Sequence, residues 1–225
     1  MKLRRLTSKP RGVLRDMNLL LSLILFDPEP RLMTAGAAVF LSGLALHFWS
    51  KGCLVRNWVV TSCGPYRLVR HPFYLANFLI DFGVCLISTN PWLTVLYVAG
   101  FLLVYLPTIR KEEQNLVGAH GDAYTKYAHR VPALLPYRLH AIFGPLDFAC
   151  SNILREKELS RILRLLAIPS YFAMLCALVH ETPRDPTARV TMLCVSAAWA
   201  LLLNTSSVAV RKYERARRLG SGATT

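Results

Sequence analysis

The sequence has few acidic residues for its length, and it lacks the signatures of nucleic-acid binding. Its 225 residues include 13 aspartates and glutamates against 27 lysines and arginines, which gives a formal net charge of +14. Such a charge attracts nucleic acid or an anionic membrane surface. Because neither a zinc-finger nor an RNA-recognition pattern is present in the sequence, the balance of charge favours anionic lipid and not nucleic acid.

The sequence also lacks paired cysteines and a signal-cleavage site. None of its six cysteines stands in a C-x-x-C pair, and most lie in or beside apolar runs, where cysteine behaves as a small buried hydrophobic residue. We therefore expect free thiols and no metal site. A basic start and the apolar run Leu19–Phe26 resemble a secretory signal, but Asp27–Arg31 follows instead of small residues. We expect this segment to be retained.

Long apolar runs are what the sequence has in abundance, since 53% of its residues are hydrophobic and the charged residues crowd between the runs. A helix needs about 20 apolar residues to cross the roughly 30 Å hydrocarbon layer. The runs long enough, or nearly so, are Leu32–Trp49, Phe73–Ser88, Trp92–Ile109 and Val190–Val210; Leu165–Val179 is shorter, and Met17–Phe26 has about half the length unless Val13–Asp16 joins it. The pattern predicts an all-α, polytopic membrane bundle of about five or six transmembrane helices with a cytosolic cofactor pocket.

Basic residues set the expected orientation of these helices. They concentrate in the connections 51–70 and 110–138 and in the tail 211–218, whereas 27–31, 89–91 and 181–189 carry little net positive charge. By the positive-inside rule, six crossings place both termini and the basic connections in the cytosol. If Met17–Phe26 lies in the interface instead of spanning, only the N-terminus changes side. We expect an integral protein of a bacterial inner membrane or the endoplasmic reticulum.

The stretch GPYRLVRHPFYLAN, residues 64–77, places a polar cluster at the mouth of an apolar run. Pro65 and Pro72 disfavour helix in the residues before them, so residues 64–71 are predicted to be a constrained, non-helical approach. Pro72 suits the first turn of the next helix, with Tyr74 in that turn. Free backbone N–H groups and the positive helix end would favour an anionic or carbonyl-bearing ligand. Ordinary interfacial anchoring to lipid phosphates is the alternative for Arg67, Arg70 and His71.

A second polar stretch begins where the run Trp92–Ile109 ends. Glu112 and Glu113 are adjacent, so on a helix their side chains diverge by about 100°. Gly118 and Gly121 are expected to loosen or end that helix, and the tyrosines at 124 and 127 then share one face. An amphipathic helix lying on the bilayer is the alternative. It leaves the two carboxylates beside an anionic membrane surface without a reason.

The two stretches are expected to meet. The connection between the runs Phe73–Ser88 and Trp92–Ile109 is only Thr89–Pro91, so the two helices should pack as an antiparallel hairpin. This brings arginines and an imidazole to the same end as two carboxylates. Polar groups with apolar walls are the usual form of a small-molecule site.

These residues resemble the isoprenylcysteine carboxyl methyltransferase family. The family pattern runs roughly R-H-P-x-Y, then E-E-x-x-L, then G-x-x-Y-x-x-Y-x-x-x-V-P-x-x-x-P, over about residues 32–138 of this chain. The positions that match are Arg70, His71, Pro72, Tyr74, Glu112, Glu113, Leu116, Gly121, Tyr124, Tyr127, Val131, Pro132 and Pro136. Ala76 stands where the family usually has glycine, and Thr108 where it commonly has an arginine. The second departure bears on how a substrate carboxylate would be held.

The resemblance implies an integral-membrane methyltransferase that uses S-adenosylmethionine, bound in a cytosolic pocket closed by the segment after Val131. It implies cofactor binding by Tyr66, Val69, His71, Pro72, Tyr74, Glu112, Glu113 and Tyr127, and catalytic roles for Arg70, Arg110 and Glu113. The acceptor would be a lipophilic or lipid-linked molecule that enters from the bilayer, with no nucleic acid as partner. A carboxylate acceptor would need an arginine clamp such as Arg70 or Arg110. An amine acceptor would need a base, for which Glu112, Glu113 and His71 are the candidates.

We expect four parts in the chain: a basic N-terminus with a short apolar helix at 1–31, the methyltransferase core at 32–138, a cytosolic linker at 139–162, and two further transmembrane helices with a basic tail at 163–225. An NADPH-dependent membrane reductase of the steroid or sterol kind and a non-catalytic scaffold or transporter stand as alternative functions. Asp81 is an ionisable residue deep in a predicted span. We expect it to be protonated or hydrogen-bonded, facing His47 or a backbone carbonyl, with His47 itself at the interface.

Overall fold

A proline opens each of the first four helices of the computed structural model, which describes residues 10–26, 29–54, 60–137 and the single residues 148, 187, 190 and 191. Proline suits a first helical turn because its fixed φ is helical and its missing N–H would be unpaired there. The helices are α1 (Pro10–Ile24), α2 (Pro30–Cys53), α3 (Pro72–Ile87), α4 (Pro91–His120) and α5 (Asp122–Arg130), with a 3-10 turn at Gly64–Arg67. Every regular element in these residues is a helix, which confirms the all-α class.

The chain divides into two compact units, Met1–Ala149 and Cys150–Thr225. All five helices lie in the first unit. The predicted spans Leu165–Val179 and Val190–Val210 fall outside the described residues, apart from Val190 and Thr191, which are helical. The four-part division of the chain stays a prediction.

In the part of the chain that the structure describes, two helices are long and apolar enough to cross a membrane, Arg31–Cys53 and Pro91–His120, and α3 is a shorter apolar helix. These confirm the predicted runs around residues 32–49, 73–88 and 92–109. Residues 13–16 are helical together with the predicted run that starts at Met17, and both belong to α1. This helix has 15 residues and is about 22 Å long, which is too short to cross the hydrocarbon layer by itself. The total of five or six spans stays a prediction.

Neighbouring helices run in alternating directions. Arg11 and Asn18 of α1 bond to Tyr74 and Asp81 of α3, so α1 and α3 run the same way. His71 near the start of α3 meets Glu113 near the end of α4, and these two helices are therefore antiparallel. The hairpin expected from the short connection at 89–91 is confirmed.

α2 and α3 approach at backbone distance through glycines. A Cβ added at Gly83 would lie 2.7 Å from the backbone nitrogen of Phe40 and 2.8 Å from the carbonyl oxygen of Gly36. A Cβ at Gly43 would lie 2.8 Å from the backbone nitrogen of Ile80. Helices in a bilayer gain their association from such close packing of small residues, since lipid is as apolar as their side chains.

Aromatic side chains fill the layer between α3 and α4. Phe101 lies with its ring centroid 4.2 Å from that of Tyr105 and 4.8 Å from that of Phe78. Leu14 and Leu21 of α1 pack against the same cluster. The rings form a continuous apolar column that leads from the middle of α4 towards its polar end.

Asp81 is buried in this layer, with 4% of its surface exposed. The hydroxyl of Tyr97 donates to its Oδ2 at 3.2 Å, and the side chain of Asn18 donates to its backbone carbonyl at 3.0 Å. The expectation of a hydrogen-bonded aspartate is confirmed, and the partner of its carboxyl group is Tyr97 instead of His47 or a backbone carbonyl. His47 is buried, and its ring lies edge-on to Phe73 at 5.2 Å. Its expected position at the membrane interface stays a prediction.

We predict that Gly83→Val markedly lowers the melting temperature of the detergent-solubilised protein, because the new side chain would collide with the backbone of α2. Gly118→Ala in α4 is the matched control, since nothing lies within 4 Å of a Cβ there. It should leave stability unchanged or raise it by up to about 1 kcal/mol, the helix-propensity gain of alanine over glycine. Equal melting temperatures for Gly83→Val and wild type would show that α2 and α3 are not in backbone contact.

Candidate functional site

A short 3-10 turn leads into the candidate site. Residues 64–71 were expected to be non-helical, but Gly64–Arg67 form a 3-10 turn in which Leu68 N–H donates to the Pro65 carbonyl at 3.0 Å. The fixed φ of Pro65 is compatible with such a turn. The turn stops before Pro72, as expected, because the residue preceding a proline avoids the helical region.

The backbone of the approach pairs with the segment that follows α5. The N–H groups of Arg70 and His71 donate to the carbonyl oxygens of Pro132 and Ala133 at 2.8 and 3.1 Å. The expectation that N–H groups are left free for a ligand is therefore wrong at these two residues. The expectation that the segment after Val131 lies against the site agrees with these bonds.

Five side chains from the two polar stretches meet, and we call them the α3–α4 cluster. Glu113 Oε1 accepts from Arg70 Nη2 at 2.7 Å and lies 3.1 Å from His71 Nε2. Because a carboxylate only accepts, Nε2 carries the hydrogen in this pair. The Tyr74 hydroxyl donates to Glu112 Oε2 at 2.5 Å. Adjacent carboxylates are thus held by different partners, as their predicted divergence requires.

The length of α4 explains where the cluster lies. Its 30 residues extend about 45 Å, against a hydrocarbon layer of roughly 30 Å. Ile109 is the last buried apolar residue of α4, and the two glutamates follow within one turn. The end of α4 that carries the cluster therefore extends beyond the apolar part of the helix.

Gly121 turns the chain back over the cluster. Its φ of 53° and ψ of −129° are open essentially to glycine alone, and they end α4 and begin α5. From α5, the Ala128 carbonyl accepts from Arg70 Nη1 at 2.6 Å, and the Tyr127 hydroxyl donates to the Tyr66 carbonyl at 2.7 Å. Arg70 therefore ties α5 to the glutamate of α4.

Several buried polar atoms around the cluster have no hydrogen-bond partner in the described part of the chain. They are the hydroxyls of Tyr66 and Tyr124 and the Nε of Arg70. Burial raises the pKa of Tyr124 to about 12, with the charge of Glu113 adding to it, and burial likewise raises the pKa of Tyr66. Both phenols therefore stay protonated near neutral pH. Buried donors without a partner are costly, and a bound ligand with acceptor atoms would satisfy them.

The structure brings most of the residues singled out from the sequence into one region. Arg70, His71, Tyr74, Glu112 and Glu113 are in direct contact as pairs. Tyr66 and Tyr127 are hydrogen-bonded to each other. Val69 and Pro72 are buried beside the 3-10 turn and the start of α3. Arg110 is exposed on α4 and takes no part in the bonds described for the cluster, so its catalytic role stays a prediction.

Two side chains near the cluster were not assigned roles from the sequence. Tyr124 matched the family pattern but was given no part in binding. Arg11 of α1 donates from Nη1 to the Tyr74 hydroxyl oxygen at 2.7 Å. Its signal in the sequence is the spacing of residues 11, 14, 18 and 21, which places Arg11 on the face of α1 that packs inward.

We predict that Glu113→Gln lowers the free energy of unfolding by about 1–3 kcal/mol, because it leaves the partly buried Arg70 guanidinium without its anionic partner. Arg70 and Glu113 expose 15% and 26% of their side chains. Arg110→Gln, at an exposed position three residues earlier, should change it by less than about 0.5 kcal/mol. Unfolding midpoints of both variants in detergent test this, and equal effects would mean that the ion pair contributes nothing specific.

Comparison with known proteins shows a family that these residues resemble. The model of the isoprenylcysteine carboxyl methyltransferase family matches residues 38–118. The cobalt-zinc-cadmium resistance protein CzcN of Cupriavidus metallidurans is 38% identical over 80 residues, which are 36% of this chain and 36% of that protein. A methanethiol S-methyltransferase of Crocosphaera subtropica is 36% identical over 75 residues, 32% of this chain and 27% of that protein.

A protein-S-isoprenylcysteine O-methyltransferase of Schizosaccharomyces pombe is 30% identical over 81 residues, 36% of this chain and 34% of that protein. The aligned segments thus span about a third of the length of the curated relatives. Both halves of the α3–α4 cluster lie inside the matched segment. The resemblance noted from the sequence is confirmed by this match, since residues 38–118 are similar to the isoprenylcysteine carboxyl methyltransferase family.

Proposed function

We propose that this chain is an integral-membrane methyltransferase that moves a methyl group from S-adenosylmethionine to a lipophilic acceptor. The observation that carries the proposal is the α3–α4 cluster: Arg70 and His71 on Glu113, and Tyr74 on Glu112. All five residues lie within the segment matched by the methyltransferase family. Relatives of similar sequence carry the names of S- and O-methyltransferases.

The residues around the cluster fit an adenosyl amino acid. Such a ligand offers ring nitrogens, ribose hydroxyls and a carboxylate as acceptors, and an ammonium group as donor. The orphaned hydroxyls of Tyr66 and Tyr124 and the Nε of Arg70 supply donors. Glu113 Oε2 and Glu112 Oε1 supply anionic acceptors beyond the oxygens already bonded. When bound, S-adenosylmethionine supplies a methyl group on a sulfonium, whose positive charge disappears on transfer.

The chain's own contribution to such a transfer is positioning. The guanidinium and imidazole that share Glu113 hold its carboxylate in one orientation, and Tyr74 does the same for Glu112. A carboxylate acceptor needs no base, because it is ionised at neutral pH, and an arginine such as Arg70 or Arg110 would orient it. An amine acceptor would have to lose a proton, with Glu112, Glu113 or His71 as the base.

The apolar surroundings of the cluster suit a greasy acceptor. The aromatic column of Phe101 and Tyr105 leads to the ring of Tyr74, whose centroid lies 5.4 Å from that of Tyr105. The polar groups stand on the end of α4 that follows its apolar part, and this end would lie beyond the hydrocarbon layer. A water-soluble donor and a membrane-soluble acceptor would meet at this boundary, on the cytosolic side by the distribution of basic residues.

Two relatives are named for resistance to metals such as cobalt and cadmium. In the described part of the chain, there is no group of three or more His, Cys, Asp or Glu side chains that could hold a metal ion. Nothing in that part favours metal binding as a second candidate function, and the proposal contains no metal.

We predict that S-adenosylmethionine raises the melting temperature of the detergent-purified chain and that NADPH does not. At 100 times its Kd, the donor should raise the free energy of unfolding by about 2.7 kcal/mol. Glu113→Gln should lose most of this stabilisation, because one of the two carboxylates that would bind the donor is neutralised. Arg110→Gln is the control, because it removes an exposed charge from the same helix. Stabilisation by NADPH instead would favour the membrane reductase.

We also predict transfer of a labelled methyl group from S-adenosylmethionine into membrane lipid extracts. The bond formed identifies the acceptor: a methyl ester releases labelled methanol in mild base, whereas an S-methyl or N-methyl product does not. Wild type should label the extract and Glu112→Gln/Glu113→Gln should not. If wild type binds the donor but labels no extract, soluble thiols form the next acceptor class to test. Labelling of equal strength by the double variant would remove both glutamates from the mechanism.

A further inference from the structure

We propose that Arg11 of α1 is a positioning residue of the candidate site, which commits the hydroxyl of Tyr74 to Glu112 and so orients that carboxylate for the methyl donor. The inference rests on the proposed function. Arg11 lies outside the segment 38–118 matched by the family, so the family match assigns it nothing.

The packing of α1 carries Arg11 to the site. Leu14 lies so close to α4 that a Cβ added at Gly100 would be 2.8 Å from its Cδ1. One turn on, Asn18 donates from Nδ2 to the Asp81 carbonyl at 3.0 Å and accepts from the Cys85 thiol at 3.0 Å. These contacts set the rotation of α1 about its axis. Arg11 lies on the same face, one turn before Leu14, and therefore faces the bundle.

The chemistry of the three groups sets the direction of their hydrogen bonds. A guanidinium has only donors, so at 2.7 Å the Tyr74 oxygen must accept from Arg11 Nη1. The single O–H of Tyr74 is then directed to Glu112 Oε2 at 2.5 Å. Arg11, Tyr74 and Glu112 form a one-way relay from α1 through α3 to α4, in which the last member accepts as a carboxylate.

The ring of Tyr74 is held on several sides, so the direction of its O–H bond depends mainly on the hydrogen bond from Arg11. It stacks on His71 at 5.6 Å and meets Tyr105 edge-on at 5.4 Å. The Arg11 guanidinium also lies 5.5 Å from the ring centroid, within the range of a cation–π contact. Since His71 and Tyr105 still hold the ring when Arg11 is lost, the loss of Arg11 changes the direction of the hydroxyl proton more than the position of the ring.

The relay also balances the charge of the two glutamates. Arg70 is in direct contact with Glu113, and Arg11 reaches Glu112 through Tyr74. Each carboxylate thus has its own guanidinium, one direct and one through a phenol. Glu112 is left with Oε1 as a free acceptor of fixed orientation, which suits an ammonium group of the donor.

A double-mutant cycle on donor binding tests this inference. The dissociation constant of S-adenosylmethionine is measured by calorimetry on the full chain in detergent, for wild type, Arg11→Met, Tyr74→Phe and the double variant. Arg11→Met should weaken binding about 5- to 10-fold, the effect of one lost hydrogen bond to a charged network. In the Tyr74→Phe background, the same change should have little further effect, because Arg11 acts through the hydroxyl.

The controls separate positioning from folding. Arg11→Lys keeps a donor and a charge and should bind the donor within about 2- to 3-fold of wild type. Arg15→Met alters an arginine one turn later that is 48% exposed and pairs with Asp16, and it should bind like wild type. The melting temperatures of all variants, measured without donor, report any loss of fold. A variant that melts like wild type but binds the donor more weakly has lost positioning and not folding.

The outcomes are distinct. If wild type does not bind S-adenosylmethionine, the proposed function fails and this inference fails with it. If wild type binds and Arg11→Met binds equally well, the inference alone is rejected. Equal losses from Arg11→Met in both backgrounds would also reject it, because Arg11 would then not act through Tyr74.

Discussion

The carboxylate of Glu113 is the interaction on which the polar end of this protein depends. It lies on the polar end of α4 and accepts from a guanidinium and an imidazole at the start of α3. The same guanidinium reaches a carbonyl of α5. Three segments are thus joined through one charged group, where each added hydrogen bond limits the desolvation cost of the others.

The parts of this arrangement that local rules control could be predicted from the sequence. Proline positions mark the starts of α2, α3 and α4, and apolar length marks their extents. The three-residue connection at 89–91 forces α3 and α4 into a hairpin, so the meeting of Arg70 and His71 with the glutamates follows from chain geometry. The family resemblance then supplied a chemical interpretation for residues already known to be close.

The parts that depend on packing between distant segments could not be predicted in the same way. Hydrophobic periodicity gives the inward face of α1 but not the helix it meets, so Arg11 was missed although it lies on that face. Asp81 was expected to face His47 or a backbone carbonyl, yet its carboxyl group accepts from Tyr97, because the rotation of α3 is set by glycines of α2. Backbone N–H groups at Arg70 and His71 were expected to be free, but a segment about 60 residues away covers them.

The glycine contacts between α2 and α3 limit where an acyl chain could pass between the helices. Where two helix backbones touch, the seam has no room for even one methylene group, and opening it would sacrifice the dispersion energy along its whole length. A hydrocarbon tail cannot slip in at that side. A lipophilic acceptor of the proposed reaction would therefore have to reach the polar end of α3 from another side of the bundle. The small residues of α2 would thus limit the path of the acceptor as well as set the packing of α3.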